Sequence, residues 1–316
     1  MRDLHGKFVW IELMTSDPKA AEGFYTKVVG WSAKDSGQPG MSYTLLSAGE
    51  TMVGGLMAIP EEAKKMGAGP IWLGYVAVDD VNDYAAKIKA AGGRVFKEPT
   101  DVPGMLRFAV VADPYLATFM IMKGIGEPPD EMPAPGAPGT VGWRELHAGA
   151  LDGAWTFYSS LFGWTKGDTM DMGPDDKYQL FKIDGVQSGG MMTKMAKTPA
   201  PFWLYYFNVP KLDPCVEAIK ANDGEIVNGP MQVPGGQWIV HAVDPQGAMF
   251  ALVANARGSL RDASRIAAGG IAAERIAGGR KQAEAKSVFT GTFAAPLARF
   301  PAVDRSNPPM RRREAS

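Results

Sequence analysis

The 316-residue chain has one cysteine, Cys215, and three histidines, His5, His147 and His241. A single thiol excludes an intrachain disulfide and fits a reducing, cytoplasmic setting. Falling in a helical pattern, Cys215 reads as a half-buried packing residue rather than a nucleophile. No apolar run approaches the roughly 18 residues needed to span a bilayer, so no membrane segment is expected. The polar stretch from Met1 to Lys7 lacks the apolar core of a signal peptide. Positive charge is sparse in most of the chain. From Arg257 onward there are 12 Lys/Arg against 5 Asp/Glu, which leaves the preceding residues at −8 within a formal net charge of −1. That acidic part has no basic stripe to track phosphates, so nucleic acid is not an expected partner. Phosphate loops are lacking too. Gly54-Gly55 and Gly189-Gly190 are followed by neither Lys-Ser/Thr nor a helix start, and glycine inside a strand points instead to close backbone approach.

What the chain does have, it has twice. Trp10-Ile-Glu12-Leu returns as Trp143-Arg-Glu145-Leu, Phe24-Tyr25 as Phe157-Tyr158, and Gly30-Trp31 as Gly163-Trp164, all offset by 133 residues. One register for so many large and polar residues marks a tandem duplication. The expected organisation is a first domain over 1–124, a Pro-rich linker over 125–139, a second domain over 140–256, and a disordered basic tail over 257–316.

Within each copy the pattern alternates between periods of two and of 3.6 residues. Phe8 to Met14 reads as a strand. Ser16-Asp17-Pro18 is a helix start, a capping side chain followed by proline at the first helical position, and Gly30 ends that helix. Strands are predicted at Trp31–Lys34, Tyr43–Ser47 and Met52–Ala58, completing a βαβββ unit. A polar crossover over Pro60–Pro70 leads to a second such unit: a strand at Trp72–Val78, a helix at Val81–Ala91, and strands at Arg94–Phe96, Arg107–Val111 and Thr118–Met122. Pro99–Gly104 reads as an irregular loop and Asp113-Pro114 as a turn. The second copy repeats this grammar, with Asp244-Pro245 echoing Asp113-Pro114, but Ala150-Leu151 replaces the Asp-Pro helix start. The fold class is therefore α+β, four βαβββ units.

Paired βαβββ units, Phe-Tyr in the first helix and an Asp-Pro turn before the last strand resemble the vicinal oxygen chelate superfamily of glyoxalases, bleomycin-resistance proteins and extradiol dioxygenases. The resemblance covers about residues 6 to 256. It implies one cupped sheet around a cavity in each half. Metalloenzymes of that superfamily take His, Glu or Gln ligands from the first and last strands of each unit. Carried over, those places fall on Trp10 and Trp143, near Leu73 and Leu204, on Met120 and Ala251, and within Gly54–Met57 and Gly189–Met192. Indole, aliphatic and thioether groups are poor donors for a hard or borderline divalent ion, so neither a metal nor another cofactor is expected.

The polar groups that remain are few. Glu12 and Glu145 sit in mainly apolar strands, where a carboxylate must be paired or hydrogen-bonded. His147, two residues beyond Glu145, shares its strand face, and His241 lies just before Asp244. These three could form an acid–base set, with Glu145 and His241 as candidate catalytic residues, or hold Zn²⁺ or Fe²⁺ from non-standard places. Glu12, Met14 and Val110 are the first-copy counterparts. Candidate ligand-binding residues are Trp10, Glu12, Tyr43, Trp72, Tyr75 and Met120 in one cup. In the other they are Trp143, Glu145, His147, Tyr178, Trp203, Tyr206, Trp238 and His241.

The leading functional reading is metal-independent binding of a small aromatic or amphipathic molecule, of a sequestration or resistance type. The alternative is a lyase, isomerase or dioxygenase- or hydroxylase-type enzyme of the superfamily using Glu145, His147 and His241. A third is an interaction scaffold whose cups are filled by their own side chains. A monomer is expected, since the duplication can stand in for the partner of a shorter chain; a dimer is the other arrangement.

Overall fold

Alternation of buried and exposed residues builds two sheets in the computed structural model, which describes residues 3–38, 40, 42–125, 133–173 and 176–258. The expected tail from 259 onward, and part of the linker, lie outside the described residues. The first copy runs β1 (Phe8–Thr15), α1 (Pro18–Val28), β2 (Ser32–Asp35), β3 (Tyr43–Ala48), β4 (Thr51–Ala58), α2 (Glu61–Lys65), β5 (Ile71–Ala77), α3 (Val81–Ala90), β6 (Arg94–Val102), β7 (Leu106–Ala112) and β8 (Thr118–Gly124). The second runs β9 (Val141–Ala148), α4 (Leu151–Phe162), β10 (Thr165–Gly173), β11 (Asp176–Ile183), β12 (Val186–Thr193), β13 (Phe202–Asn208), α5 (Leu212–Ala221), β14 (Glu225–Gln232), β15 (Trp238–Val243) and β16 (Met249–Ala254).

Each copy folds into an eight-stranded sheet, ordered β2-β3-β4-β1-β5-β8-β7-β6 and β10-β11-β12-β9-β13-β16-β15-β14. β1 pairs in parallel with β4 and antiparallel with β5, and β9 does the same with β12 and β13. The first strand of each copy therefore runs through the middle of its sheet, where its side chains reach both faces.

Three elements depart from the sequence pattern. The polar strand β10 has no apolar alternation and exists by pairing with β11 at a sheet edge. β6 continues through Pro99, where an irregular loop is predicted. As an edge strand it needs no hydrogen bond from that residue, and register shifts between Val95 and Lys97 and between Lys97 and Thr100 absorb the irregularity. The crossover over 60–70 carries the short helix α2.

Helix starts follow their local chemistry. Asp17 caps α1, its carboxylate accepting from Ala20 N at 3.0 Å. At the start of α4 the residue in the capping place is Ala150, with no side-chain cap. The Tyr115 ring of the first copy packs there instead, against Gly149 and Gly153, where a β-carbon would collide with it.

The two copies share one core. The back of each sheet (Ile11, Leu13, Trp72 and Phe119 on one, Leu146, Trp203, Phe207 and Phe250 on the other) joins Phe24, Tyr25, Phe157 and Tyr158 of the helices in a single apolar cluster. Hydrogen bonds cross this core in reciprocal pairs. Trp72 Nε1 donates to Tyr25 OH at 2.9 Å, and Tyr25 OH donates to Asp244 Oδ2 of the other copy at 3.0 Å. Trp203 Nε1 donates to Tyr158 OH at 3.1 Å, and Tyr158 OH to Asp113 Oδ2 at 3.4 Å. Each aspartate's other oxygen closes its own Asp-Pro turn, accepting from Tyr115 N and Ala117 N in one copy and from Gln246 N and Ala248 N in the other. Trp31 Nε1 donates to Gly139 O at 2.7 Å and Trp164 Nε1 to Gly6 O at 2.8 Å, a third reciprocal pair. The Phe-Tyr, Gly-Trp and Asp-Pro repeats are thus interface chemistry, and the other face of each sheet points outward.

Because the copies share a core, they unfold together. In urea the chain is expected to show one transition by fluorescence and circular dichroism alike. Tyr25→Phe and Tyr158→Phe each remove a buried donor from an aspartate and shift that single transition down by about 1–3 kcal/mol. A variant that melts one copy while leaving the other intact would contradict the shared core.

Candidate functional site

On the outward face of each sheet a tryptophan, a glutamate and two tyrosines meet. β1 presents Trp10, Glu12 and Met14 at two-residue spacing, β5 presents Leu73 and Tyr75, and β8 presents Met120. The register sets Trp10 opposite Tyr75, Glu12 opposite Leu73, and Tyr75 beside Met120. Tyr75 OH donates to Glu12 Oε2 at 2.9 Å. Tyr43, from β3, also bonds Glu12 and accepts from Trp10 Nε1 at 3.0 Å. To get there its ring crosses β4 over Gly55, where any β-carbon would occupy the space of the ring.

The second cup repeats the set. Trp143 Nε1 donates to Tyr178 OH at 2.8 Å, and Tyr178 OH to Glu145 Oε2 at 2.8 Å. Tyr178 crosses Gly190 just as Tyr43 crosses Gly55. Tyr206, the counterpart of Tyr75, bonds Glu145 and lies 2.8 Å from His241 Nε2. The Gly-Gly pairs of β4 and β12 therefore make room for tyrosine as well as for neighbouring backbone.

The cups differ in what surrounds the carboxylate. His147 replaces Met14, and its Nε2 stands 2.8 Å from Glu145 Oε1, an ion-pair distance outside hydrogen-bond angles. Its ring stacks flat on Phe202, centroids 4.5 Å apart and planes 4° from parallel. His241 replaces Val110 and reaches the carboxylate through Tyr206. The electrostatics diverge accordingly. Burial raises Glu12 from 4.5 to about 6, against the lowering effect of its two tyrosines. Burial acts on Glu145 too, but it is outweighed by the contact and charge of His147, the charge of His241 and the bond from Tyr178, which bring it down to about 2. Burial lowers His241 to about 4, despite the opposing pull of Glu145. Burial and then the carboxylate's charge push Tyr75, Tyr178 and Tyr206 well above the usual phenol range, so all three remain donors.

A family model described as the Glyoxalase/Bleomycin resistance protein/Dioxygenase superfamily matches residues 7–121 and 141–252. The chain belongs to this superfamily. The anthracycline biosynthesis protein DnrV of Streptomyces peucetius is 31% identical over 278 residues, covering 84% of this chain and 97% of its own. CFP32 of Mycobacterium bovis, which carries a provisional glyoxylase name, is 29% identical over 248 residues, covering 77% of this chain and 93% of its own. The fold also matches a Mn(II)-bound glyoxalase from Novosphingobium aromaticivorans, with a TM-score of 0.55 at 16% identity over 79% of this chain and 82% of that one. A trihydroxybiphenyl dioxygenase from Sphingomonas wittichii gives a TM-score of 0.54 at 13% identity, over 80% and 92%.

Three of the four places per copy onto which the resemblance carries metal ligands can now be located. Trp10, Leu73 and Met120 gather on the floor of the first cup, and Trp143, Leu204 and Ala251 on that of the second. Their indole, thioether and aliphatic groups do not fit a divalent ion. Among the described residues no group of three or more His, Cys, Asp and Glu is arranged to hold a metal. Glu145 and His147 do meet, with His241 joined to them through Tyr206.

Not every candidate ligand contact lies in a cup. Trp72 and Trp203 face the opposite way, 1% and 3% exposed in the shared core. Trp238 packs against that core as well, under the Arg257 guanidinium. The reason is parity: Trp72 and Tyr75 are an odd number of positions apart, and a regular strand cannot place both on one face. By the same rule Phe202, in phase with Leu204 and Tyr206, belongs to the cup; the sequence carried that signal and the prediction omitted it.

Opposite shifts give opposite pH signatures. The folded pKa of Glu12 is raised, so its stabilisation is present below pH 4.5 and lost as pH rises through about 6. Glu12→Gln should therefore gain on wild type by about 2 kcal/mol between about pH 4 and 7. The folded pKa of Glu145 is depressed, so its stabilisation is present above pH 4.5 and lost toward pH 2. Glu145→Gln should cost stability at neutral pH and progressively less in acid. Urea unfolding across pH checks both, and variants that move in the same direction with pH would contradict the assignment.

Proposed function

We propose that the chain binds a small, flat, aromatic or amphipathic molecule in its outward cups, without a metal. The observation that carries this reading is the repeated floor: a carboxylate held by two tyrosines, with a tryptophan bonded to one of them. A buried carboxylate is costly unless fully engaged, and the chain maintains one in each copy. Around each floor lie half-buried apolar side chains that a ligand would cover: Met14, Ile71, Phe108, Val110 and Met122 in the first cup, Met170, Met172, Val227 and Met231 in the second. Such a surface, with few polar anchors, suits a planar and weakly polar ligand, and methionine adapts its shape to aromatic faces. The relative named for anthracycline biosynthesis suggests the chemical class, a polycyclic quinone bearing phenolic hydroxyls.

The half-buried rims argue against a scaffold with filled cups. As the two copies already cover each other's apolar backs, the chain can act as a monomer. No described helix is long and apolar enough to cross a membrane. The lone thiol, half-buried and raised by burial to about 11, suits a reducing, cytosolic setting.

Titration with 1,4-dihydroxyanthraquinone tests the proposal through quenching of Trp10 and Trp143, with stoichiometry from calorimetry. Saturable binding is expected, and Glu12→Gln and Glu145→Gln should each weaken one class of site by about tenfold, the worth of one well-placed hydrogen bond to a charged group. Absence of saturable quenching would overturn it.

A further inference from the structure

The second cup holds a feature that binding alone leaves unused. His147 is 5% exposed, and both its ring nitrogens are buried without a hydrogen-bond partner among the described residues. Buried polar atoms without partners are uncommon, and each calls for an explanation. The ring is held on both counts that matter. Phe202 stacks on its face, and Glu145 Oε1 stands 2.8 Å from Nε2. A carboxylate beside Nε2 favours the proton on that nitrogen, which leaves Nδ1 as a lone pair. The arrangement of base, orienting carboxylate and fixed ring is the one that general-base sites share. Glu145 is itself held by Tyr178, whose bond to Oε2 leaves Oε1 to face the imidazole. In the first cup Met14 takes the place of His147, and a thioether accepts no proton at neutral pH.

We propose that His147 is the proton acceptor of the second cup, taking the acidic hydroxyl proton of a bound phenol at Nδ1, so that the ligand is held there as its phenolate and in the first cup as the neutral phenol. The ligand O–H bond breaks, its electron pair stays on oxygen, and the proton passes to Nδ1. The resulting imidazolium is neutralised by Glu145. No further reactant is needed. The proposal rests on the ligand class inferred above, and it makes the two cups chemically distinct: one stores a phenol, the other activates it.

Absorbance of 1,4-dihydroxyanthraquinone separates the two readings, because its phenolate absorbs to the red of the neutral form. The full chain is titrated at a pH where the free dye is neutral. The expected result is a red-shifted band for dye bound in the second cup only, abolished by His147→Asn and by His147→Gln while the first cup still binds dye. Should both variants fail to fold, ¹⁵N resonances of the wild-type imidazole give the same answer, moving to charged values as dye is added. Dye that binds with no red-shifted band, or a band that survives removal of His147, overturns the proposal and leaves the binding function standing. Dye that fails to bind at all overturns the binding function, and this proposal with it.

Discussion

A hydroxyl donated across the boundary between the copies holds this molecule together. Tyr25 reaches Asp244, Tyr158 reaches Asp113, and each aspartate uses its second oxygen to close the turn before its own last strand. One carboxylate thus serves local turn and distant domain at once. Once the backs of the sheets are fastened in this way, the opposite faces have nowhere to turn but outward. The site follows from that orientation, since the central strands β1 and β9 show core residues to the interface and Trp, Glu and Met or His to the opposite face.

Duplication leaves the two cups free to diverge on a common floor. Trp10, Tyr43, Glu12 and Tyr75 correspond to Trp143, Tyr178, Glu145 and Tyr206, so hydrogen-bond geometry is conserved between the copies. Two substitutions, Met14 to His147 and Val110 to His241 in spatial correspondence, reverse the electrostatics. Desolvation dominates where only phenols face the carboxylate, and contact with the imidazole outweighs it where His147 stands beside it. At neutral pH one floor is close to exchanging a proton and the other is firmly anionic. At the places onto which the resemblance carries metal ligands, this chain has indole, aliphatic and thioether groups.

Much of this was legible from residue order. The constant offset of Trp10/Trp143 and Phe24-Tyr25/Phe157-Tyr158 gave the duplication, and two-residue alternation placed Glu12, Glu145 and His147 on cup faces. Other parts were not legible. Nothing in the polar run Thr165–Gly173 marks a strand, because it is held by backbone pairing with the next strand, β11, and not by an apolar face. The partnership of Tyr25 with Asp244 spans 219 residues and follows from packing alone. Trp72 and Trp203 look like ligand platforms by residue type, and only strand parity reveals them as core. The tyrosines over Gly55 and Gly190 were legible as residues but not as carboxylate partners, since β3 and β11 reach Glu12 and Glu145 across an intervening strand.

The central claim is that the outward cups, floored by a tyrosine-held carboxylate, are where a ligand sits. A crystal structure of the full chain soaked with 1,4-dihydroxyanthraquinone tests it most directly. The account predicts planar density over Glu12 and over Glu145, flanked by Trp10 in one copy and Trp143 in the other, with a phenolic oxygen turned toward His147. Dye lodged between the two copies, or cups closed over by their own side chains with no density above the carboxylates, would contradict it.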